Sequence, residues 1–224
     1  RESIDVKRHI GFLPEESSLY EKMTVSEYLL FFAELYGVSK REAKRRMDEI
    51  LTSLDLSRRD QRTGELSKCM RRKVAIARAL LHDPQVLVLD EPNAGLDPLT
   101  SFFIINYLKS LKEEGKTLLV SAHNLFHVEY ICDRVAILRQ GELVVCDTME
   151  AIRDSLGRRE YEVIFQSDDA LTYPREDGNY VFRTSDVARV ASVLERISEN
   201  DWAMVNLSVR ESALEEIYVR LMEE

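Results

Sequence analysis

The sequence predicts an α/β fold built on a parallel sheet, followed by a small α+β unit. Two observations carry that prediction. The first is a pair of short apolar runs, Val86 to Asp90 and Thr117 to Ser121, separated by a segment that opens on Asp97-Pro98 and closes on Gly115. A strand, a helix and a second strand in that order form a βαβ unit whose strands run parallel. The second is a change of pattern after Gly157, where short strands begin to alternate with helices.

Taken in order, Ile10-Gly11-Phe12-Leu13-Pro14 reads as a short strand ended by the proline. Two helices follow, each opening on a capping-box pattern, Thr24-Val25-Ser26-Glu27 and Ser39-Lys40-Arg41-Glu42. The first is apolar at Val25, Leu29, Phe32 and Tyr36 and is closed by Gly37. The second runs to about Leu54, with Met47, Ile50, Leu51 and Leu54 on its apolar side. A polar loop from Ser57 to Glu65 leads to a helix from Leu66-Ser67 to about Leu81, stopped by His82-Asp83-Pro84. Ser67 is its N-cap.

Gln85 to Asp90 is a continuous apolar run of the kind buried on both faces of a parallel sheet. Asp97 and Pro98 supply an N-cap and a first-turn proline for a helix to about Glu114. Val135 to Val145, broken by Gln140-Gly141, reads as an antiparallel hairpin, and Ala151 to Leu156 as a short helix. Beyond it, strands are expected at Tyr161–Phe165, Tyr180–Arg183 and Met204–Val209, and helices at Val187–Ser198 and Leu214–Met222.

The 224 residues suffice for one good core and a small second domain. A net charge of −9 argues against broad nucleic-acid binding, which needs a basic footprint. The basic clusters Lys40-Arg41, Lys44-Arg45-Arg46 and Arg71-Arg72-Lys73 are local and read as solvated helix faces. Cys69, Cys132 and Cys146 have no metal-ligand spacing and read as reduced thiols. No apolar stretch approaches the roughly 20 residues that span a bilayer, so membrane spans would have to come from another chain. The start, Arg-Glu-Ser-Ile-Asp, has no apolar signal core, and Arg1 is read as the beginning of a piece of a longer protein.

Chemistry concentrates at two strand ends. Asp90 and Glu91 are adjacent carboxylates at the end of an apolar run, where their repulsion and desolvation are costly. A bound Mg²⁺ and a water to be activated would offset that cost. Alone, the pair could equally be a capping Asp and an exposed Glu; Pro92 and the Gly95-Leu96-Asp97-Pro98 turn favour a site. A lone histidine at a strand end, such as His123, is usually packed or exposed. One βαβ unit beyond the carboxylates, however, it falls on the same sheet edge, where open α/β folds bind ligands. Ser67 caps a helix whose first-turn N–H groups also make an anion site, and the two roles are compatible.

These residues resemble the motifs of ATP-binding cassette (ABC) ATPases. Leu66-Ser67-Lys68-Cys69-Met70 and the helix after it look like the signature motif, Val86 to Pro92 like Walker B, Ala94 to Pro98 like the D-loop, and Ser121-Ala122-His123 like the switch-histidine segment. Ile10 to Glu15 is similar to the approach to the Q-loop. The resemblance covers about Ile10 to Ile152, and the remainder is similar to the C-terminal extension of drug- and sodium-exporter-type cassettes. It implies the C-terminal part of an ABC-type P-loop ATPase domain over 1–156, with a helical subdomain over about 16–66 and a core over 67–156. A small α+β extension would occupy 158–224.

The roles implied are Asp90 holding Mg²⁺ through water, with Glu15 a further metal-side carboxylate, and Glu91 polarising the attacking water. His123 would contact the γ-phosphate, Asp97 would link two cassettes head to tail, and Ser67, Lys68, Cys69 and Met70 would cover the γ-phosphate of ATP on the partner cassette. ATP and Mg²⁺ are the implied cofactors. The implied partners are membrane-spanning permease subunits and a second or paralogous cassette, with attachment to the cytoplasmic face of the membrane and a lean towards export. The substrate is set by the membrane partner and is not legible.

Two departures stand out: Cys69 replaces a glycine that usually lets backbone approach phosphate, and Glu15 replaces a glutamine. A larger one is the phosphate cradle, G-x-x-x-x-G-K-[ST], which opens a helix after a strand. Gly115-Lys116-Thr117 is a decoy, because Ser110 sits where the first glycine belongs and the tripeptide leads from helix into strand. The cradle is expected upstream of Arg1, so the chain alone is expected not to bind ATP well. Alternatives are a soluble ABC-type ATPase of translation or DNA repair, which predicts a coiled-coil insertion or basic arms, and a non-catalytic dimerisation or regulatory fragment.

Overall fold

Caps and apolar runs set the elements of the computed structural model, which describes residues 2–16 and 18–223. Two compact units result, one running to His127 and one beginning at Val128.

The first unit contains α1 (Glu2–Arg8), β1 (Ile10–Leu13), α2 (Val25–Leu35), α3 (Lys40–Ser53), a 3-10 turn at Thr63–Glu65, α4 (Lys68–Leu80), β2 (Val86–Asp90), α5 (Pro98–Glu113) and β3 (Thr117–Ser121). The short α6 (Leu125–Ile131) carries the chain past the division between units. The three strands form a parallel sheet in the order β1-β2-β3. Its register aligns Phe12 with Val88 and Leu119, and places Asp90 opposite Ser121.

Burial differs from the expectation at β2. Leu87 and Leu89 are buried while Val86 and Val88 are half-buried, and Leu119 on β3 is 64% exposed. One face of the sheet therefore carries an open apolar row, Phe12, Val88 and Leu119, and the opposite face packs. On that packed face α4 comes so close to β1 that a side chain at Gly11 would collide with the Ala79 carbonyl oxygen, Leu87 and Pro84.

The two predicted capping boxes end differently. At α2 both halves form: Glu27 N–H donates to Thr24 Oγ1 at 3.2 Å and Thr24 N–H to Glu27 Oε2 at 2.8 Å. At α3 only the Ser39 half forms, at 3.4 Å. Glu42 turns instead to Arg45 and Arg46, at 2.5 and 2.8 Å, and their guanidinium groups pull its carboxyl down to about 2. Two charge-assisted bonds outcompete one backbone N–H.

The second unit holds a hairpin of β4 (Arg134–Arg139) and β5 (Glu142–Thr148), then α7 (Met149–Leu156), β6 (Arg159–Gln166), β7 (Arg175–Glu176), β8 (Asn179–Thr184), α8 (Val187–Glu199), β9 (Ala203–Glu211) and α9 (Leu214–Glu223). Gln140 and Gly141 both have positive φ, 52° and 85°, which is the two-residue turn that matches strand twist. The sheet order β7-β8-β6-β9 is antiparallel throughout. Val163, Phe165, Tyr180 and Phe182 pack there against Val190, Val193 and Ile197 of α8.

The hairpin and α7 join this unit rather than the parallel sheet. Arg139 donates to the Leu221 carbonyl at 2.7 Å, and Glu129 accepts from Leu214 N–H at 2.6 Å. The compact units divide at His127/Val128.

Candidate functional site

The site assembles where β2 and β3 end side by side. Because Asp90 and Ser121 are register partners, the Ser121 hydroxyl donates directly to Asp90 Oδ1. The next residue, Glu91, leaves the strand with φ 45°, in the left-handed region. For a residue other than glycine this costs on the order of 1–3 kcal/mol and persists only where surroundings enforce it. Its N–H is held by the Ser121 carbonyl at 3.0 Å.

That backbone turn aims the Glu91 side chain at His123. Glu91 Oε2 lies 2.7 Å from His123 Nδ1, with the Glu91 side chain 17% exposed and that of His123 78% exposed. The contact is close but not aligned as a hydrogen bond, so the buried Oε2 keeps capacity for another donor. A withdrawn carboxylate with a free acceptor, beside a protruding imidazole, suits a water molecule to be polarised.

A second cluster forms at the start of α4. Ser67 Oγ accepts from Met70 N–H at 3.3 Å, so the predicted cap is formed. Cys69 Sγ donates to Asp97 Oδ2 at 3.3 Å, and Asp97 Oδ1 accepts from Thr100 N–H at 2.9 Å as the N-cap of α5. Bonds from Thr100 and then from Cys69 hold the Asp97 carboxyl down to about 2. Gly95 has φ 63°, and a Cβ there would land on the Lys68 ammonium, so the Lys68 chain lies across Gly95. The residues with signature-like and D-loop-like spacing are thus bound to each other within one chain.

Of the predicted site residues, Glu15, Lys68 and His123 line one cleft of about 740 Å³. The Gly115-Lys116-Thr117 segment stands apart in role as in position. Lys116 pairs with Asp83 at 2.7 Å and with the Pro84 carbonyl at 3.0 Å, bracing the βαβ connection.

Arg72 overturns the reading of its cluster as a solvated helix face. It is 4% exposed, and its guanidinium donates to the carbonyls of Pro14, Glu15, Asp90, Glu91 and Pro92 at 2.6–2.9 Å. Burial lowers its pKa to about 10, against the opposing charges of Asp90, Glu15 and Glu91, so it stays cationic at neutral pH. One signal in the sequence pointed to this: Arg72 lies three, four and seven residues before Ala75, Ile76 and Ala79, all buried. Asn93 was also missed; its amide bonds Ser101 at 2.8 Å and contacts His127 Nδ1 at 2.7 Å.

The donor set fits ATP with Mg²⁺. Among the described residues no group of three or more His, Cys, Asp or Glu side chains forms an all-protein metal centre. Mg²⁺ is usually held by one or two carboxylates together with waters and substrate phosphates, and the Asp90 carboxylate at the end of β2 is chemically suited to that role.

A sequence model of the family described as ABC transporter matches residues 1–94. The ABC transporter ATP-binding protein NatA of Bacillus subtilis (strain 168) is 38% identical over 171 residues, covering 75% of this chain and 69% of NatA. The uncharacterized ABC transporter ATP-binding protein YhaQ of the same organism is 33% identical over 224 residues, covering 96% of this chain and 74% of YhaQ. The Nod factor export ATP-binding protein I of Rhizobium sp. (strain N33) is 40% identical over 136 residues, covering 60% of this chain and 45% of that protein. The chain therefore spans between about half and three-quarters of these curated relatives' lengths. A solved structure titled as the ATP binding subunit of an ABC transporter superposes with a TM-score of 0.63 at 33% identity, over 68% of this chain and 64% of that one. CbiO1 of Clostridium perfringens, part of the cbiONQ complex, does so with a TM-score of 0.60 at 27% identity, over 66% of this chain and 61% of that one.

Proposed function

This chain belongs to the family of ABC transporter ATP-binding proteins, and on that premise we propose that its sheet edge hydrolyses ATP to drive transport through separate membrane-spanning subunits. The observation that carries the reading is the pairing of a withdrawn Glu91 with a protruding His123 beside Asp90, at the carboxyl ends of parallel strands. Ligands bind at that edge in open α/β sheets.

In this reading Asp90, oriented by Ser121, would hold Mg²⁺, and Glu15 would be a further carboxylate on the metal side. When bound, Mg²⁺ would neutralise phosphate charge. Glu91 accepts a hydrogen bond from the attacking water and directs it, and His123 reaches the γ-phosphate. Ser67, Lys68, Cys69 and Met70 face the nucleotide of a second cassette in a head-to-tail pair, and Asp97 links the two. Phosphoryl transfer needs little beyond positioning and charge stabilisation, which is what these side chains offer. The helices of about 16–66 would receive the membrane partner. The extension over 158–224 would support pairing or regulation, at the cytoplasmic face of the membrane.

No helix among the described residues is long and apolar enough to cross a membrane. Within these 224 residues there is no G-x-x-x-x-G-K-[ST] run, so tight ATP binding requires a phosphate cradle supplied alongside them. The test is ATP hydrolysis by the full-length protein with and without Mg²⁺. Mg²⁺-dependent turnover is expected, and no turnover in the presence of its membrane subunits would overturn the reading.

A further inference from the structure

We propose that Arg72 is a positioning residue that holds Glu91 in its left-handed backbone conformation and ties it to the loop behind β1. The inference rests on the reading of Glu91 as the residue that polarises water, and it goes beyond that reading by naming what enforces its geometry.

Two independent observations meet at this point. Glu91 adopts φ 45° although it has a side chain, so something must hold it there. Its peptide is pinned on both sides: the N–H to the Ser121 carbonyl at 3.0 Å, and the carbonyl oxygen by Arg72 Nη2 at 2.6 Å. The same nitrogen reaches the Asp90 carbonyl at 2.9 Å, while Nε holds that of Pro92 at 2.8 Å. Three successive carbonyls around the turn thus accept from one rigid group.

The other guanidinium nitrogen leads elsewhere. Nη1 holds the carbonyls of Pro14 and Glu15, at 2.7 and 2.8 Å, where the chain leaves β1. Because guanidinium is planar and its donors are fixed in one fork, a displacement of the Pro14-Glu15 segment is transmitted to the Glu91 peptide. Glu15 lines the cleft that His123 also lines. A ligand or partner that moves Glu15 would therefore change how well Glu91 is aimed. A lysine could not do this, since a single ammonium cannot bridge both strand ends.

The experiment measures steady-state ATP hydrolysis and thermal unfolding of the full-length protein, for wild type, Arg72→Ala, Arg72→Lys, Glu91→Gln and the Arg72→Ala/Glu91→Gln pair. Arg72→Ala is expected to lower kcat on the order of 10²-fold with the ATP KM changed by less than about twofold, because aim and not nucleotide affinity is lost. Millimolar guanidinium ion should restore part of that kcat, which a purely structural defect would not allow. The double variant should be no slower than Glu91→Gln alone. Wild-type kcat in Arg72→Ala, or additive losses in the double variant, would overturn the inference. If Arg72→Ala does not fold, Arg72→Lys decides: lowered kcat at an unchanged melting temperature supports the role, and wild-type kcat refutes it. Undiminished turnover in Glu91→Gln would instead sink the underlying assignment of Glu91, independently of Arg72.

Discussion

Glu91 Oε2 and His123 Nδ1 lie 2.7 Å apart across the ends of two neighbouring parallel strands, one group withdrawn and the other largely exposed. Neither residue is informative alone. The register that sets Asp90 opposite Ser121 makes the following residues of both strands neighbours, and the left-handed turn at Glu91 completes the approach.

No G-x-x-x-x-G-K-[ST] run occurs in these 224 residues, and this leads to the first prediction. The isolated 224-residue chain should bind Mg·ATP too weakly to detect in the micromolar range by titration calorimetry. Micromolar binding would mean that the groups at the ends of β2 and β3 grip nucleotide unaided.

Helix caps give a graded prediction. Thr24→Ala removes the side-chain half of a closed capping box, the 3.2 Å bond from Glu27 N–H, and should cost about 1 kcal/mol. Ser39→Ala removes one bond at 3.4 Å and should cost less, because Glu42 is already engaged with Arg45 and Arg46. Urea unfolding of the two variants measures the difference, and an equal or reversed order would show that the second box also closes.

These caps also show what the sequence disclosed. Thr24, Ser39, Ser67 and Asp97 each stand at the N-cap expected of them, because a hydroxyl or carboxylate before an apolar-periodic segment has a local partner. The strands at Val86–Asp90 and Thr117–Ser121 were equally legible from their apolar runs. Arg72 was legible only through its spacing to Ala75, Ile76 and Ala79, because the carbonyls it bonds lie about 20 or about 60 residues away in sequence. Its neighbours Arg71 and Lys73 also make the cluster look solvated. The same holds for the conformation of Glu91, which is imposed by tertiary bonds and contradicts its own propensity. Short elements without a strong period, α1, α6 and β7, escaped as well.

Close packing of α4 on β1 makes Gly11 a sensitive position. In Gly11→Ala the new methyl meets the Ala79 carbonyl, a backbone atom that cannot swing aside. Destabilisation of about 1–3 kcal/mol is expected by chemical denaturation. A neutral change would mean that helix and strand are further apart than described.

The pH dependence at Asp97 has a definite sign. Its folded carboxyl is held at about 2, below its unfolded value, by Thr100 and Cys69. The stabilisation is therefore fully present above the unfolded value near 4 and is lost as pH falls towards about 2. Asp97→Asn retains a good cap without this titration, so wild type and variant should converge in stability as pH falls from about 5 to about 2. A constant gap across that window would show that the carboxylate is not preferentially held.

The most direct measurement is single-turnover ATP hydrolysis by the full-length protein carrying Glu91→Gln, with nucleotide-dependent association followed in parallel. The account predicts a fall in the hydrolysis rate of about 10²–10⁴-fold, with ATP still bound and ATP-dependent pairing of cassettes retained. Hydrolysis at the wild-type rate would contradict the assignment of Glu91 at its centre.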